Sequence, residues 1–209
     1  MATIHWYFDF ISPFAYLQWP RVRELATRHP VELRPVLFAG VLDHIGQKGP
    51  AEIPAKRVFT YRHVLWRARQ RGLPMRFPPA HPFNPLAALR LCVALDARPD
   101  ATGAIFDWIW AQGRAGDSVE ALAPLARTLG VADIAAAVAA PAVKQQLKAN
   151  FEAALAAQVF GVPTLVIDGD LFWGDDAFDF ALARLADPTL LDDDEMRRVS
   201  TLPVAAQRI

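Results

Sequence analysis

The sequence predicts an α/β fold in which one mixed sheet is interrupted by a large all-helical insertion. Three observations carry this. Residues that favour strands cluster at both ends of the chain, in Thr3–Phe10 and Val31–Phe38 and again in Thr164–Trp173. The stretch between, 39–158, has almost no strand signal and is dense in Ala from Ala132 to Ala157. No Gly/Pro/Ser-rich linker divides the chain, so one interrupted domain is expected rather than two in series. The expected boundaries are 1–38 and 159–187 for the sheet domain, 39–158 for the helical insertion and 188–209 for a C-terminal tail.

Each element has its own signal. Thr3–Phe10 carries Ile4, Trp6, Tyr7, Phe8 and Phe10 and reads as a buried strand, broken by Ile11-Ser12-Pro13. Ala15–His29 has helical spacing through Leu17, Val22, Leu25 and Ala26; Pro20 inside it should kink the helix or mark a late start. Val31–Phe38 is the second strand. Pro54–Gly72 reads as a helix with Pro54 in the first turn and Gly72 as its stop. Pro74, Pro78, Pro79, Pro82 and Pro85 make the next stretch irregular, and His81-Pro82-Phe83-Asn84 within it reads either as a roof over a pocket or as a packed loop. Helices are expected over Pro85–Ala97, Asp100–Gly113, Ser118–Gly130 with Ser118 as N-cap, Asp133–Ala140 and Pro141–Gln158. Thr164–Asp168 and Leu171–Trp173 form a hairpin around Asp168-Gly169, and Ala177–Leu185 is a final amphipathic helix. The charged, prolyl tail from Asp187 is expected to lie over the surface or to be irregular.

Composition excludes several function classes. Of 209 residues, 53% are hydrophobic and 21% charged, a balance that folds rather than stays disordered. The 22 basic and 22 acidic side chains cancel, giving no reason to expect nucleic acid or an anionic membrane as partner. The charge is uneven, though. Residues 1–100 hold 14 Lys and Arg against 7 Asp and Glu, and the remainder hold 8 against 15. Arg57, Arg62, Arg67, Arg69 and Arg71 lie on one helical run, read as a solvated face or as a docking surface for an anionic partner. The single Cys92 excludes an internal disulfide, a C-x-x-C redox pair and a thiolate-rich zinc site; in its apolar helix it reads as packing. The five histidines show no ligand spacing, so no metal is expected. The opening Met-Ala-Thr-Ile-His-Trp has no signal-peptide pattern, and no apolar run reaches membrane-spanning length, so a cytoplasmic location is expected.

Three constellations bear on chemistry. Phe8-Asp9-Phe10-Ile11-Ser12-Pro13-Phe14 puts Ser12 where a strand meets a helix N-terminus. There it is either an N-cap or a hydrogen-bond donor to a bound anion or thiolate. Phe160-Gly161-Val162-Pro163-Thr164 enters a strand through a Val-Pro bond, cis or trans; a cis bond would present the Val162 backbone to a bound peptide. Gly174-Asp175-Asp176 opens the last helix, where two carboxylates either complement its dipole or clamp a substrate ammonium.

Taken together, these are the parts of a thioredoxin-like fold (βαβ…ββα). Its C-x-x-C position is filled by Ser12-Pro13-Phe14-Ala15, and its helical insertion is of the DsbA/kappa-class type. The sequence resembles the 2-hydroxychromene-2-carboxylate isomerase family and the related kappa-class glutathione transferases. The carrying residues are Phe8–Leu17, Leu33-Arg34-Pro35, Pro50–Lys56, Phe160–Thr164 and Leu171–Asp176, in the family's order. The resemblance implies a glutathione-dependent enzyme and a homodimer. Ser12 matches the serine that faces the glutathione sulfur. Val162, before an expected cis-Pro163, would pair with the glutathione backbone, Asp175 and Asp176 would hold its γ-glutamyl end, and Lys56 would meet a carboxylate. Gln47 stands near the family's asparagine, one methylene longer. Phe14 and Trp173 would line the pocket for a small aromatic-linked acid. Ala177 replaces the arginine common after the family's Gly-x-Asp, leaving that end more acidic.

The implied activity is isomerisation of 2-hydroxychromene-2-carboxylate to trans-o-hydroxybenzylidenepyruvate, by reversible addition of a Ser12-stabilised glutathione thiolate. The alternatives are a kappa-like transferase and a non-catalytic glutathione- or peptide-binding protein. The absence of a Gly-x-Ser-x-Gly elbow argues against a serine hydrolase.

Overall fold

A computed structural model describes residues 2–205. In chain order the elements are β1 (Ile4–Phe8), α1 (Pro13–Ala26), β2 (Val31–Pro35), α2 (Phe38–His44) and a 3-10 turn at Pro50–Glu52. Then come α3 (Pro54–Gln70), α4 (Leu86–Ala94), α5 (Pro99–Phe106) running into a π-helical turn at Asp107–Ala111, α6 (Val119–Thr128), α7 (Ile134–Ala139) and α8 (Pro141–Ala156). β3 (Thr164–Ile167), β4 (Asp170–Trp173), α9 (Phe178–Ala186) and α10 (Asp194–Val199) complete it.

One four-stranded sheet has the order β2-β1-β3-β4. β1 runs parallel to β2 and antiparallel to β3, so the two ends of the chain meet at the centre of the sheet. Alternation along β1 sends its side chains to both faces. Ile4, Trp6 and Phe8 enter the main core with helices α1, α4 and α5, and Trp6 stacks on Phe8 at 4.4 Å between centroids. Tyr7 enters a second cluster with Val36, Val41, Ala154, Val159, Val162 and Val166. Both faces are therefore covered, which is why β1 lacks a polar face. The hairpin turns on Asp168 (φ 51°) and Gly169 (φ 100°), the two positive-φ residues that a tight two-residue connection needs.

Some boundaries differ from the sequence expectation. Strand β2 stops at Pro35, which has no N–H for the ladder, and Phe38 already opens α2. Helix α1 starts at Pro13 under a Ser12 cap and continues through Pro20 rather than starting late. The tail contains the short helix α10, whose start is capped by Asp193 through the N–H groups of Glu195 and Met196. No helix among the described residues is long and apolar enough to cross a membrane.

Candidate active site

Above the end of β1 opens a cleft of about 820 Å³, walled by the β1–α1 turn, α2, the 3-10 turn, the His81–Pro85 loop and the β3–β4 side. Ser12 sits in it, buried. Its backbone is extended (φ −86°, ψ 113°), and its Oγ accepts from Ala15 N–H at 3.3 Å, so it caps α1. The same hydroxyl donates to the Val162 carbonyl at 3.3 Å. Both sequence readings of Ser12 are thus compatible. The donated bond is long for O–H···O, so its proton is available to a stronger acceptor.

The Val162–Pro163 peptide is cis. Val162 lies beyond Tyr7↔Thr164, the end pair of the β1–β3 ladder, so its backbone edge faces the cleft without a strand partner. Gly161 is required here: a Cβ on it would overlap the Trp173 indole nitrogen, which packs against this backbone. Trp173 itself stays 54% exposed at the cleft rim, edge-on to Phe160 at 5.2 Å. Phe14 and Gln47 also line the cleft. Lys56 does not; it is exposed on the first turn of α3, while Thr60 one turn later reaches the lining.

The two adjacent carboxylates have different surroundings. Asp175 is buried, and both its oxygens are held: Arg71 donates to Oδ1 at 2.9 Å and Oδ2 at 2.8 Å, and Arg67 reaches Oδ2 at 2.7 Å. Arg71 also donates to the Leu17 carbonyl, tying α3 to α1. This revises the reading of the arginine run as a solvated or docking face. Arg62 and Arg69 are exposed, but Arg67 and Arg71, one turn apart, point inward. This end of the cleft is accordingly less acidic than Asp175-Asp176-Ala177 suggested. Asp176 is exposed on the lining beside Gly174, whose φ of 93° and crowding against Asp176 Oδ1 exclude a side chain.

Two residues that position the site, Asp9 and Gln18, were not singled out from the sequence, whereas His81 was, in a loop read either as a roof over the pocket or as packing. Asp9 is fully buried; its Oδ1 accepts from Ile11 N–H at 3.1 Å and Oδ2 from Phe38 N–H at 2.9 Å, so one carboxylate pins two cleft walls together. Burial pushes its carboxyl up to about 7, against the opposing pull of the Phe38, Ile11 and Phe10 N–H groups. A lone carboxylate inside an aromatic strand was the available signal. Gln18 accepts from Trp6 Nε1 at 2.6 Å and donates to the Gly174 carbonyl at 2.9 Å, linking the core to the Asp175 turn. His81, before cis-Pro82, contacts the Ile11 carbonyl through Nε2 at 2.8 Å and the Tyr61 hydroxyl through Nδ1 at 2.7 Å. Burial holds its pKa below the ordinary histidine value, opposed by the Ile11 bond. The proline-rich loop thereby roofs the Ser12 turn. Cys92 is buried and far from being a thiolate: burial pushes its thiol up to about 12.

Comparison with known proteins agrees with this geometry. The family model of the DSBA-like thioredoxin domain matches residues 3–186. A 2-hydroxychromene-2-carboxylate isomerase of Sphingobium xenophagum is 30% identical, over 88% of this chain and 98% of its own. Glutathione s-transferase kappa 2 of Caenorhabditis elegans is 27% identical, over 80% of this chain and 82% of its own. A solved 2-hydroxychromene-2-carboxylate isomerase shares the fold, with a TM-score of 0.74 over 92% of this chain and 100% of the other, at 24% identity.

Proposed function

Because the chain belongs to the DSBA-like thioredoxin family, among the relatives of 2-hydroxychromene-2-carboxylate isomerase, we propose that it is a glutathione-dependent isomerase. The observation that carries the reading is Ser12. Its hydroxyl caps a helix N-terminus inside the cleft and is bonded only loosely to the Val162 carbonyl. A hydroxyl and a helix N-terminus aimed at one point stabilise a thiolate there and lower the pKa of a thiol that is otherwise mostly neutral at pH 7.

The remaining lining suits a tripeptide. The backbone edge of Val162, before cis-Pro163, has no strand partner and holds only the long Ser12 bond, so it pairs with a peptide as an added strand would. Asp176 takes the ammonium of the γ-glutamyl end. Arg67 and Arg71 bring two positive charges to the single carboxylate of Asp175, so one remains to attract the α-carboxylate. Neither lies on the lining, so they act on that end from behind Asp175. Gln47 supplies amide bonds, and Lys56 supplies charge from the rim rather than from the lining. Phe14 and Trp173 flank the space for a flat second substrate.

Glutathione bound there supplies a thiolate that adds reversibly to a conjugated double bond, leaving a single bond free to rotate. The chain's own part is to hold the sulfur against Ser12, orient the substrate against the apolar walls and exclude water under the His81 loop. Ser12→Ala should lower turnover of 2-hydroxychromene-2-carboxylate roughly 10²-fold, the usual effect of removing one donor to developing charge. Unchanged turnover would remove Ser12 from the mechanism.

The match to a kappa-class transferase supports a second reading, irreversible conjugation. Conjugate accumulating with a model electrophile, without isomerisation, selects it.

A further inference from the structure

Helix α2 separates the Ser12 cleft from a second cavity of about 240 Å³, which opens between α2, α4 and α8. Leu42 of α2 lines the cleft, Gly40 lines the second cavity, and Leu37 at the helix start touches both. The floor of the second cavity is apolar. Leu147 and Phe151 stand one turn apart on α8, and Phe151 packs on Gly40, where a Cβ would come within 3.1 Å of the ring. The charges are of one sign. Arg90 on α4 and Lys144 and Lys148 on α8 line the cavity, with no Asp or Glu among the described lining residues.

The carboxylates of the surrounding elements are engaged elsewhere. Helix α4 carries none. Glu152 of α8 pairs with Lys148 at 3.3 Å. Asp43 of α2 lines the Ser12 cleft, Glu32 of β2 holds Arg34 at 2.9 Å, and Asp133 caps α7. Arg90 and Lys144 accordingly stand in no ion pair among the described residues. Arg90 is half-buried, and its Nε is buried without a hydrogen-bond partner. A guanidinium left unpaired beside apolar surface attracts an anion more strongly than one in open water, because less water screens it. An occupant held by that charge also needs an apolar body to cover Leu37, Leu147 and Phe151. The volume falls below the roughly 300–1,000 Å³ of sites for drug-sized ligands, so that body is a single ring or a short chain. The planar fork of an arginine matches the two oxygens of a carboxylate.

We propose that the cavity between α2, α4 and α8 is a second small-molecule site, distinct from the Ser12 cleft, and that it takes a small apolar carboxylate of about the size of benzoate. Arg90 and Lys144 receive the carboxylate, and Leu37, Leu147 and Phe151 receive the ring. The inference stands on this cavity alone and does not need the reaction proposed above.

The test reads the two sites apart by nuclear magnetic resonance. Benzoate, benzamide and inorganic phosphate are titrated separately into the isotope-labelled full chain. The amide resonances of Gly40, Leu147 and Phe151 report the cavity, and those of Ser12 and Asn84 report the cleft. Benzoate is expected to shift the cavity resonances with a Kd on the order of 1 mM or tighter. Benzamide, without the charge, and phosphate, without the ring, should bind there about tenfold more weakly or less. Arg90→Gln should weaken benzoate at the cavity about tenfold, and Lys144→Gln, on an exposed side chain, about two- to fivefold. Neither variant should alter glutathione affinity. Should Arg90→Gln fail to fold, Lys144→Gln decides alone. No saturable shift at the cavity, equal binding of benzamide or phosphate, or indifference of benzoate to the charge variants overturns the inference. None of these readings involves turnover, so failure of the isomerase reading leaves them standing, and their failure leaves that reading untouched.

Discussion

Asp175 and Asp176 are neighbours with opposite expected roles, and the structure sets the size of the difference. Asp175→Asn removes a carboxylate whose side chain is 0% exposed and leaves two guanidinium groups facing each other without their anion. Breaking a buried ion pair by removing one partner costs about 3–5 kcal/mol. The arginine side chains are 21% and 27% exposed, so water partly rescues them, and about 3 kcal/mol is the better figure. For a chain of this size that corresponds to a fall of about 6–12 °C in Tm. Calorimetric melting of the two single variants is the assay. Asp176→Asn, on an exposed side chain, should melt within about 1 °C of wild type and lose glutathione affinity instead. A double-mutant cycle of Asp175→Asn with Arg71→Met should show strong coupling, since each change removes the same contact. A shift under 2 °C for Asp175→Asn, or additive effects in the cycle, would refute the assignment of this carboxylate to structure.

Asp9 makes stability depend on pH. Its carboxyl stands at about 7 in the fold against 3.8 ordinarily, so folding favours the protonated form. That contribution is fully present below about pH 4 and is lost as pH rises towards 7. A shift of about three units is worth about 4 kcal/mol. The stability difference between wild type and Asp9→Asn in urea should therefore change by kilocalories between pH 4 and 8; a constant difference would exclude Asp9 as the cause. Gly161→Ala places a methyl group against the Trp173 indole, which must swing out, so Trp fluorescence should shift to the red and glutathione affinity fall together. An unaltered spectrum would show that the rim has room to spare. Tyr61→Phe removes the hydroxyl bonded to both His81 Nδ1 and its carbonyl and should increase hydrogen exchange in the 81–85 loop without changing Tm by more than about 2 °C.

The fold was legible because its signals are local and mutually consistent. The aromatic run of β1, the Asp168-Gly169 turn and the Ala-rich helices each name their own conformation. The cleft was legible only where a residue type and its place in the chain coincide, as at Ser12 and Pro163. What sequence could not supply was which charge meets which. Arg67 and Arg71 lie more than a hundred positions from Asp175, and a helical stripe of arginines looks the same whether it faces water or a buried carboxylate. Asp9 and Gln18 escaped for a related reason: each holds a backbone group far along the chain, the Phe38 N–H and the Gly174 carbonyl, which leaves no pattern in side-chain identity. Helix α2 was missed because strand-forming Val36–Phe38 runs into it with no cap or glycine to mark the change.

The central position of β1 and β3 has a consequence for biosynthesis. Ser12 and Val162 stand 150 positions apart, yet the hydroxyl and the carbonyl that accepts its proton belong to one small space. No binding pocket exists until residue 7 has met residue 164, after the whole helical block has been made. The site is therefore completed only by a contact between segments far apart in the chain. A ligand that recognises it binds the assembled molecule and so stabilises it against unfolding.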